Sequence, residues 1–192
     1  YGLTSIDSGG SRENASLNPQ GDYAMSVLGR ERILEHFSRS LNIPISIIRL
    51  NYAVEMRYGV IYDIAAKVLR EQPIDLSMGY ANVSGQGDAN AVSIAAFDRA
   101  ASPPFVLNVT GPETLSVRAI AKEFGRLLRK SPVFVGEESS TALLNNATQA
   151  HRVYGLPAVS LDQAIQWTAD WLVRNQQTHH KPTHFEARDG KF

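Results

Sequence analysis

The chain has 192 residues, 43% of them hydrophobic and 20% charged, with 19 basic side chains matched by 19 acidic ones. This composition excludes a disordered chain and fits one or two small globular domains, and the zero net charge removes any long-range pull toward nucleic acid or anionic lipid. With no cysteine there is no disulfide, thiolate nucleophile or cysteine metal site, which fits a cytoplasmic protein, and no apolar run approaches the ~18 residues of a membrane span.

Residues 1–21 carry Ser8-Gly9-Gly10-Ser11, Asn14, Asn18, Pro19 and Gly21, the chemistry of a loop. A helix is predicted over about residues 22–41, with Asp22 able to cap it. Val27, Leu34 and Leu41 recur every seven residues and predict its inward face, widened by Leu28, Ile33 and Phe37. Asn42 ends it and Pro44 follows. Residues 45–50, ISIIRL, read as a buried parallel strand. A helix over 58–71 places Ile61, Ile64, Ala65 and Leu69 at helical spacing and closes at Pro73. A short strand is expected at 80–84, then an Ala-rich helix over 86–101 with Asp88 favouring the dipole of its first turn. Residues 105–109, FVLNV, form a second buried strand.

After Thr110-Gly111-Pro112 the pattern turns helical. Ser116 opens a helix to about Arg129, with Val117, Ile120, Phe124, Leu127 and Leu128 inward and Arg126, Arg129 and Lys130 at the negative end of the dipole. A strand at 133–135 and helices near 146–153 and 161–174 complete the pattern, with Ser160 and Gln163 spaced as a capping box. From Gln176 onward the polar tail is expected to pack as an extended arm or to fray. Strands alternating with helices imply parallel crossovers and an α/β fold, with 45–50 and 105–109 in one sheet.

Residues 13–31 carry Glu13, Pro19, Tyr23 and Glu31 at a distinctive spacing. They resemble the signature of the extended short-chain dehydrogenase/reductases, the NAD-dependent epimerases and dehydratases: an acidic residue, a proline, Tyr-x-x-x-Lys, then Glu four residues on. The lysine position here is Val27. Tyr1-Gly2 is similar to the end of the family's Val-Tyr-Gly segment, whose catalytic Ser/Thr would then lie upstream, and Arg49-Leu50-Asn51, Gly87-Asp88 and Asn108-Val109-Thr110-Gly111 follow in family order. No Gly-rich pyrophosphate turn occurs in the chain. The resemblance therefore implies the C-terminal part of a Rossmann-like parallel sheet with a smaller α/β substrate-binding lobe, the cofactor-binding half being absent. Residues 1–54 and 81–110 would be the Rossmann-like remnant, 55–80 and 111–175 the lobe, and 176–192 a C-terminal tail.

The same resemblance makes Tyr23 the catalytic acid/base, working beside NAD or NADP in the intact parent, with no cofactor expected on the fragment. A tyrosine ordinarily titrates near ~10, so it needs help to act as a base at neutral pH. The family's lysine supplies that help and holds the nicotinamide ribose; Val27 does neither, and Arg30 and Arg49 do not obviously replace it. Leu50 and Asn51 follow a strand end, where open α/β sheets bind ligands, and are the cofactor candidates. For Arg49 a snorkelling side chain is favoured. Asn82 and Gln86 are the candidates for a sugar or phosphate, and Asp88 reads as a structural cap. His179-His180 and His184 invite a metal reading, but adjacent histidines rarely chelate one ion and no acid stands at helical spacing from them.

The leading expectation is thus a portion of an NAD(P)-dependent epimerase/dehydratase acting on a small molecule such as a nucleotide sugar, the fragment itself being inactive. The alternatives are a binding or regulatory protein that kept the fold and lost catalysis, as Val27 suggests, and a bare folding or assembly unit. Met25, Leu28 and Ile33 add apolar surface beyond the main stripe of the first long helix, which predicts a homodimer through it, or cover by strands of the missing half.

Overall fold

Two β-branched runs meet as predicted. In the computed structural model, which describes residues 2–190, β2 (Ser46–Leu50) pairs in parallel with β7 (Phe105–Val109), Ser46 opposite Phe105 and Leu50 opposite Val109. Between them the chain makes the crossover that a parallel pair requires. It runs through β3 (Ala53–Val54), α2 (Val60–Leu69), β4 (Pro73–Asp75), β5 (Tyr80–Ala81), β6 (Ser84–Gly85), α3 (Gln86–Ala95) and a 3-10 turn over Ala96–Arg99. Ahead of β2 lie β1 (Thr4–Ser5) and the long α1 (Gly21–Leu41). After β7 come β8 (Leu115–Ser116), α4 (Val117–Leu128), β9 (Val133–Val135), β10 (Thr141–Ala142), α5 (Thr148–Tyr154) and α6 (Leu161–Val173). The fold is α/β.

The short strands tie distant segments. β3 pairs with β6 and β4 with β9, both in parallel; β5 pairs with β8 and β1 with β10, both antiparallel. The largest core lies where α2, α4 and α6 pack together, with Ile64, Ile74, Leu76, Phe124 and Ile165 buried. Each such side chain contributes about 1.5–3 kcal/mol by leaving water. A second core joins α3 and α5 to β7 through Ala89, Leu107, Val109 and Ala150. A third, around Met78, Ala142 and Leu144, lies beside β5 and β10.

Several ends follow their sequence signals. Asn42 closes α1 in the left-handed conformation at φ 52°, Ser116 accepts from the Ala119 amide, and Ser160 and Gln163 form the reciprocal capping box of α6. Other expectations are corrected. The cap of α1 is Gln20 without a side-chain bond, and Asp22 sits in the first turn, where it favours the dipole instead. The helix expected over 86–101 tightens into the 3-10 turn after Ala95. Pro73 does not merely end a helix; it opens β4, the position where its missing N–H is least costly. The expected strand at 80–84 is two dipeptide strands with different partners.

The buried face of α1 is turned part of the way round from the expected one: Val27 and Leu28 are half-buried, but the rest of the predicted stripe is not. Leu34 and Leu41, expected inward, are exposed, together with Tyr23, Met25, Ile33 and Phe37, whereas Glu31 and Ser38 are buried. The cause is polar pairing: Arg49 from β2 meets Glu31, and the Ser38 hydroxyl donates to the Ile43 carbonyl. Among the described residues no helix is long and apolar enough to cross a membrane.

The polar tail packs as an arm. Phe185 is buried in the main core, Thr183 donates through its N–H and its hydroxyl to Asp63, and Arg188 donates to the Ser77 and Thr141 carbonyls at 2.9 and 2.8 Å. Gly190 then meets Gly21, each at positive φ, so closely that a Cβ on either would overlap the other segment's backbone. Glycine at both positions permits this crossing.

Candidate functional site

The C-terminal ends of β2 and β7 are the place where a sheet of this kind presents a ligand. The sequence places Leu50, Asn51, Asn108 and Thr110 there. Asn51 and Asn82 are brought together: the Asn51 amide donates to Asn82 Oδ1 at 2.7 Å and to the Leu143 carbonyl at 3.3 Å. Asn82, itself buried, donates to the Asn145 carbonyl at 3.0 Å and accepts the Asn145 N–H at 3.2 Å. Buried Asn108 donates to the Ser11 and Asn146 carbonyls at 2.9 and 3.1 Å. Three asparagines thus staple the 143–146 run and the Ser11 segment across the strand ends. Both amide donors of Asn82 and Asn51 point into this lattice, where an unmade bond would cost about 1–3 kcal/mol.

Gln86 stands apart from Asn82. It is exposed at the start of α3 and donates to Asn90 one turn on, at 2.9 Å. Leu50 is exposed at the end of β2. Asp88 does not cap its own helix; it accepts the Ala158 and Val159 amides at 2.9 and 3.1 Å and so fastens the loop before α6.

Tyr23 occupies the first turn of α1 with 66% of its surface exposed, and Val27 lies one turn further. Arg49 is neither a snorkelling side chain nor a cation free to stand in for the absent lysine. Its guanidinium makes two parallel bonds of 2.8 Å to Glu31, and a third of 2.8 Å to the Glu13 carbonyl. Both side chains of the pair are nearly out of solvent, at 11% and 10% exposure. Glu13 in turn accepts the Asn108 amide at 3.0 Å. Two acids of the Glu13–Tyr23–Glu31 spacing therefore serve one clamp that binds α1 and the Glu13 segment to β2 and β7. Tyr1 lies outside the described residues.

Sequence reading missed this clamp. Its signal was present: Ala24, Glu31 and Ser38 repeat every seven residues, the same period as the neighbouring row of Val27, Leu34 and Leu41. It also missed a cleft of about 370 Å³ beside the strand ends, in which Arg12 and Arg152 flank Asn14 and Gln149. Thr110 Oγ1, just past β7, and Tyr154 Oη, in the last turn of α5, are buried without a hydrogen-bond partner among the described residues. Tyr52, in the left-handed region at φ 44°, is packed against the main core; burial, helped by the nearby Glu186 charge, pushes its hydroxyl up to about 12. Asp63 is also held above the usual carboxylate range, by burial that outweighs the bonds from Thr183. Among the described residues no group of three or more acidic, histidine or cysteine side chains is placed to hold a metal ion.

No family model matches the chain, and no curated protein matches it in sequence. Its fold does match solved structures. UDP-glucose 4-epimerase of Thermotoga maritima, solved with UDP-glucose, is 16% identical with a TM-score of 0.72 over 86% of this chain and 57% of that one. UDP-glucuronic acid 4-epimerase of Bacillus cereus, in complex with UDP-glucuronic acid and NAD, is 18% identical with a TM-score of 0.73 over 88% and 57%. dTDP-glucose 4,6-dehydratase of Streptomyces venezuelae, with NAD and TYD bound, is 18% identical with a TM-score of 0.72 over 89% and 56%. The chain spans little more than half the length of each. At this identity the likeness is one of fold.

Proposed function

We propose that the chain is the C-terminal portion of an NAD-dependent epimerase- or dehydratase-like protein that acts on a nucleotide sugar. The observation that carries this reading is the fold likeness to three such enzymes over little more than half of each. Within it, residues 1–54 and 81–110 belong with the cofactor-binding sheet, 55–80 and 111–175 form the substrate lobe, and 176–192 are the C-terminal tail. Tyr23 is the residue assigned to proton transfer. The exposed apolar face of α1 is the surface that further strands or a second copy would cover.

The residues of this chain do not by themselves make a dinucleotide site. There is no Gly-rich turn, and the Asn51 amide is committed to Asn82 and Leu143. The pyrophosphate contacts are therefore assigned to the part of the protein outside these 192 residues. A second reading, a relative that keeps the fold and binds without turnover, is favoured by Val27 together with the engagement of Arg49 by Glu31.

Titration calorimetry and turnover assays separate these readings. The 192-residue chain should bind neither NAD nor NADH at micromolar concentration. A longer protein containing it should bind NAD and turn over a UDP- or dTDP-sugar, and Tyr23→Phe should lower that rate at least about 100-fold. NAD binding without turnover, with a rate appearing only in Val27→Lys, selects the second reading. A longer protein that binds no NAD overturns both.

A further inference from the structure

The C-terminal arm and α2 enclose a cleft of about 300 Å³ remote from the strand ends, lined by Lys67, Arg70, His180, Lys181 and His184 over a floor that includes the buried Tyr62. We propose that this cleft is a binding site for a small phosphate-bearing anion, a phosphomonoester or diphosphate, held between the last turn of α2 and the arm.

The argument is one of charge and of which charges are already engaged. The cleft holds two acids, Asp63 and Glu186. Asp63 is occupied by the N–H of Thr183 at 2.7 Å and by its hydroxyl. Glu186 is occupied by Lys67 at 3.0 Å. Arg70 and Lys181 are exposed and have no acidic partner among the described residues. The cleft thus sets three cations, Lys67, Arg70 and Lys181, against the two acids, and the two cations without an acidic partner face one concavity, Arg70 at the end of α2 and Lys181 on the arm, where desolvation by an anion is offset by charge-assisted hydrogen bonds. Lys67, fixed over the Phe185 ring at 5.9 Å and paired with Glu186, lines the base of the cleft as one half of a neutral pair. The His180 and His184 rings add N–H donors on the arm side. Arg70 supplies the planar fork that suits a phosphate, and Lys181 a point charge. A cleft of this size accepts one or two phosphoryl groups with a small organic substituent, not a dinucleotide.

The site bridges two segments that are otherwise joined by Thr183–Asp63, by the Lys67–Glu186 pair and by Phe185. A ligand bound to both walls therefore slows opening of the arm, because it binds only the docked state. That gives two independent readouts, affinity and arm protection.

The test uses the 192-residue chain with inorganic phosphate, inorganic pyrophosphate and phenyl phosphate, followed by calorimetry and by hydrogen exchange over residues 178–186. Binding of pyrophosphate or phenyl phosphate should slow exchange of the arm, and Arg70→Ala with Lys181→Ala should weaken it at least about tenfold, equivalent to ~1.4 kcal/mol. Arg174→Ala, an exposed residue of α6 outside the cleft and paired with Asp170, should leave both readouts unchanged. No binding at about 10 mM, a level at which the affinity would be under ~3 kcal/mol, overturns the proposal. So does binding that the double variant leaves unaltered, or binding with no protection of the arm. Both substituted residues are exposed, so misfolding does not confound the result.

Discussion

Replacing Arg49 by methionine tests the clamp between α1 and β2. The substitution removes two 2.8 Å bonds to Glu31 and a third to the Glu13 carbonyl. It takes the guanidinium away from the Glu31 carboxylate, whose side chain is only 10% exposed. Leaving one member of a buried pair uncompensated costs about 3–5 kcal/mol. The orphaned Glu13 carbonyl adds about 1 kcal/mol, so the whole loss is about 4–6 kcal/mol, comparable with the total stability of many small domains. The double variant Glu31→Met with Arg49→Met removes both charges and should recover most of that loss, since a well-packed apolar pair substitutes for a buried ion pair at little net cost. Urea unfolding followed by circular dichroism, run as a double-mutant cycle, should give a coupling energy of about 3 kcal/mol or more. Arg49→Lys keeps the charge without the fork and should fall between. If Arg49→Met costs under about 1 kcal/mol, the pair behaves as a surface salt bridge, and the claim that Arg49 is unavailable as a substitute for the absent lysine fails with it.

Two further outcomes are expected. Because the fold holds the Asp63 carboxyl above its ordinary value of 3.8, its protonated form is favoured in the folded chain; stability from this residue is full below that value and falls as pH rises through the raised one. Asp63→Asn, which keeps an acceptor for Thr183, should remove that decline, and thermal melts from about pH 4 upward read it directly. Ile33→Glu with Phe37→Glu, both on exposed positions of α1, should leave the melting temperature within a few degrees and reduce any self-association seen by sedimentation equilibrium; a chain that is monomeric before and after the change removes the homodimer from this account.

What the sequence disclosed depended on how local the deciding force was. Helix ends are set within four residues, so Asn42, Ser116 and the Ser160–Gln163 box were readable. The β2–β7 pair was readable because each strand is a five-residue, mostly apolar run bounded by loop residues. β3, β5, β6 and β8 are two residues each and exist only because a distant segment lies alongside; no periodicity fits in two residues. α1 was misread for a related reason. Its apolar residues form a good stripe, but the burying partner is decided by Arg49, eighteen residues beyond Glu31 and invisible to any helical pattern. At the candidate site, the strand-end location of Asn51 was readable, whereas its partner Asn82 and the Leu143 carbonyl it serves lie far along the chain.

The arm shows why composition alone misjudges a tail. Residues 176–190 are almost wholly polar, and polar tails usually remain solvated because they bury too little apolar area to offset chain entropy. Here one aromatic ring changes the balance. Phe185 enters the main core, and burial of a phenyl group contributes about 1.5–3 kcal/mol. That alone orders only a few residues, at a backbone cost of about 1–2 kcal/mol each. The polar residues on either side then supply the difference through hydrogen bonds to buried and half-buried acceptors: Thr183 to Asp63, and Arg188 to the Ser77 and Thr141 carbonyls. Arg188 also donates to Thr141 Oγ1 at 2.6 Å, which links the arm to β10 and through it to β1. The Gly21–Gly190 crossing places the end of the arm against the start of α1, two residues before Tyr23. The same polar residues that suggest a frayed terminus are therefore the ones that hold the arm along the path that ends at this crossing.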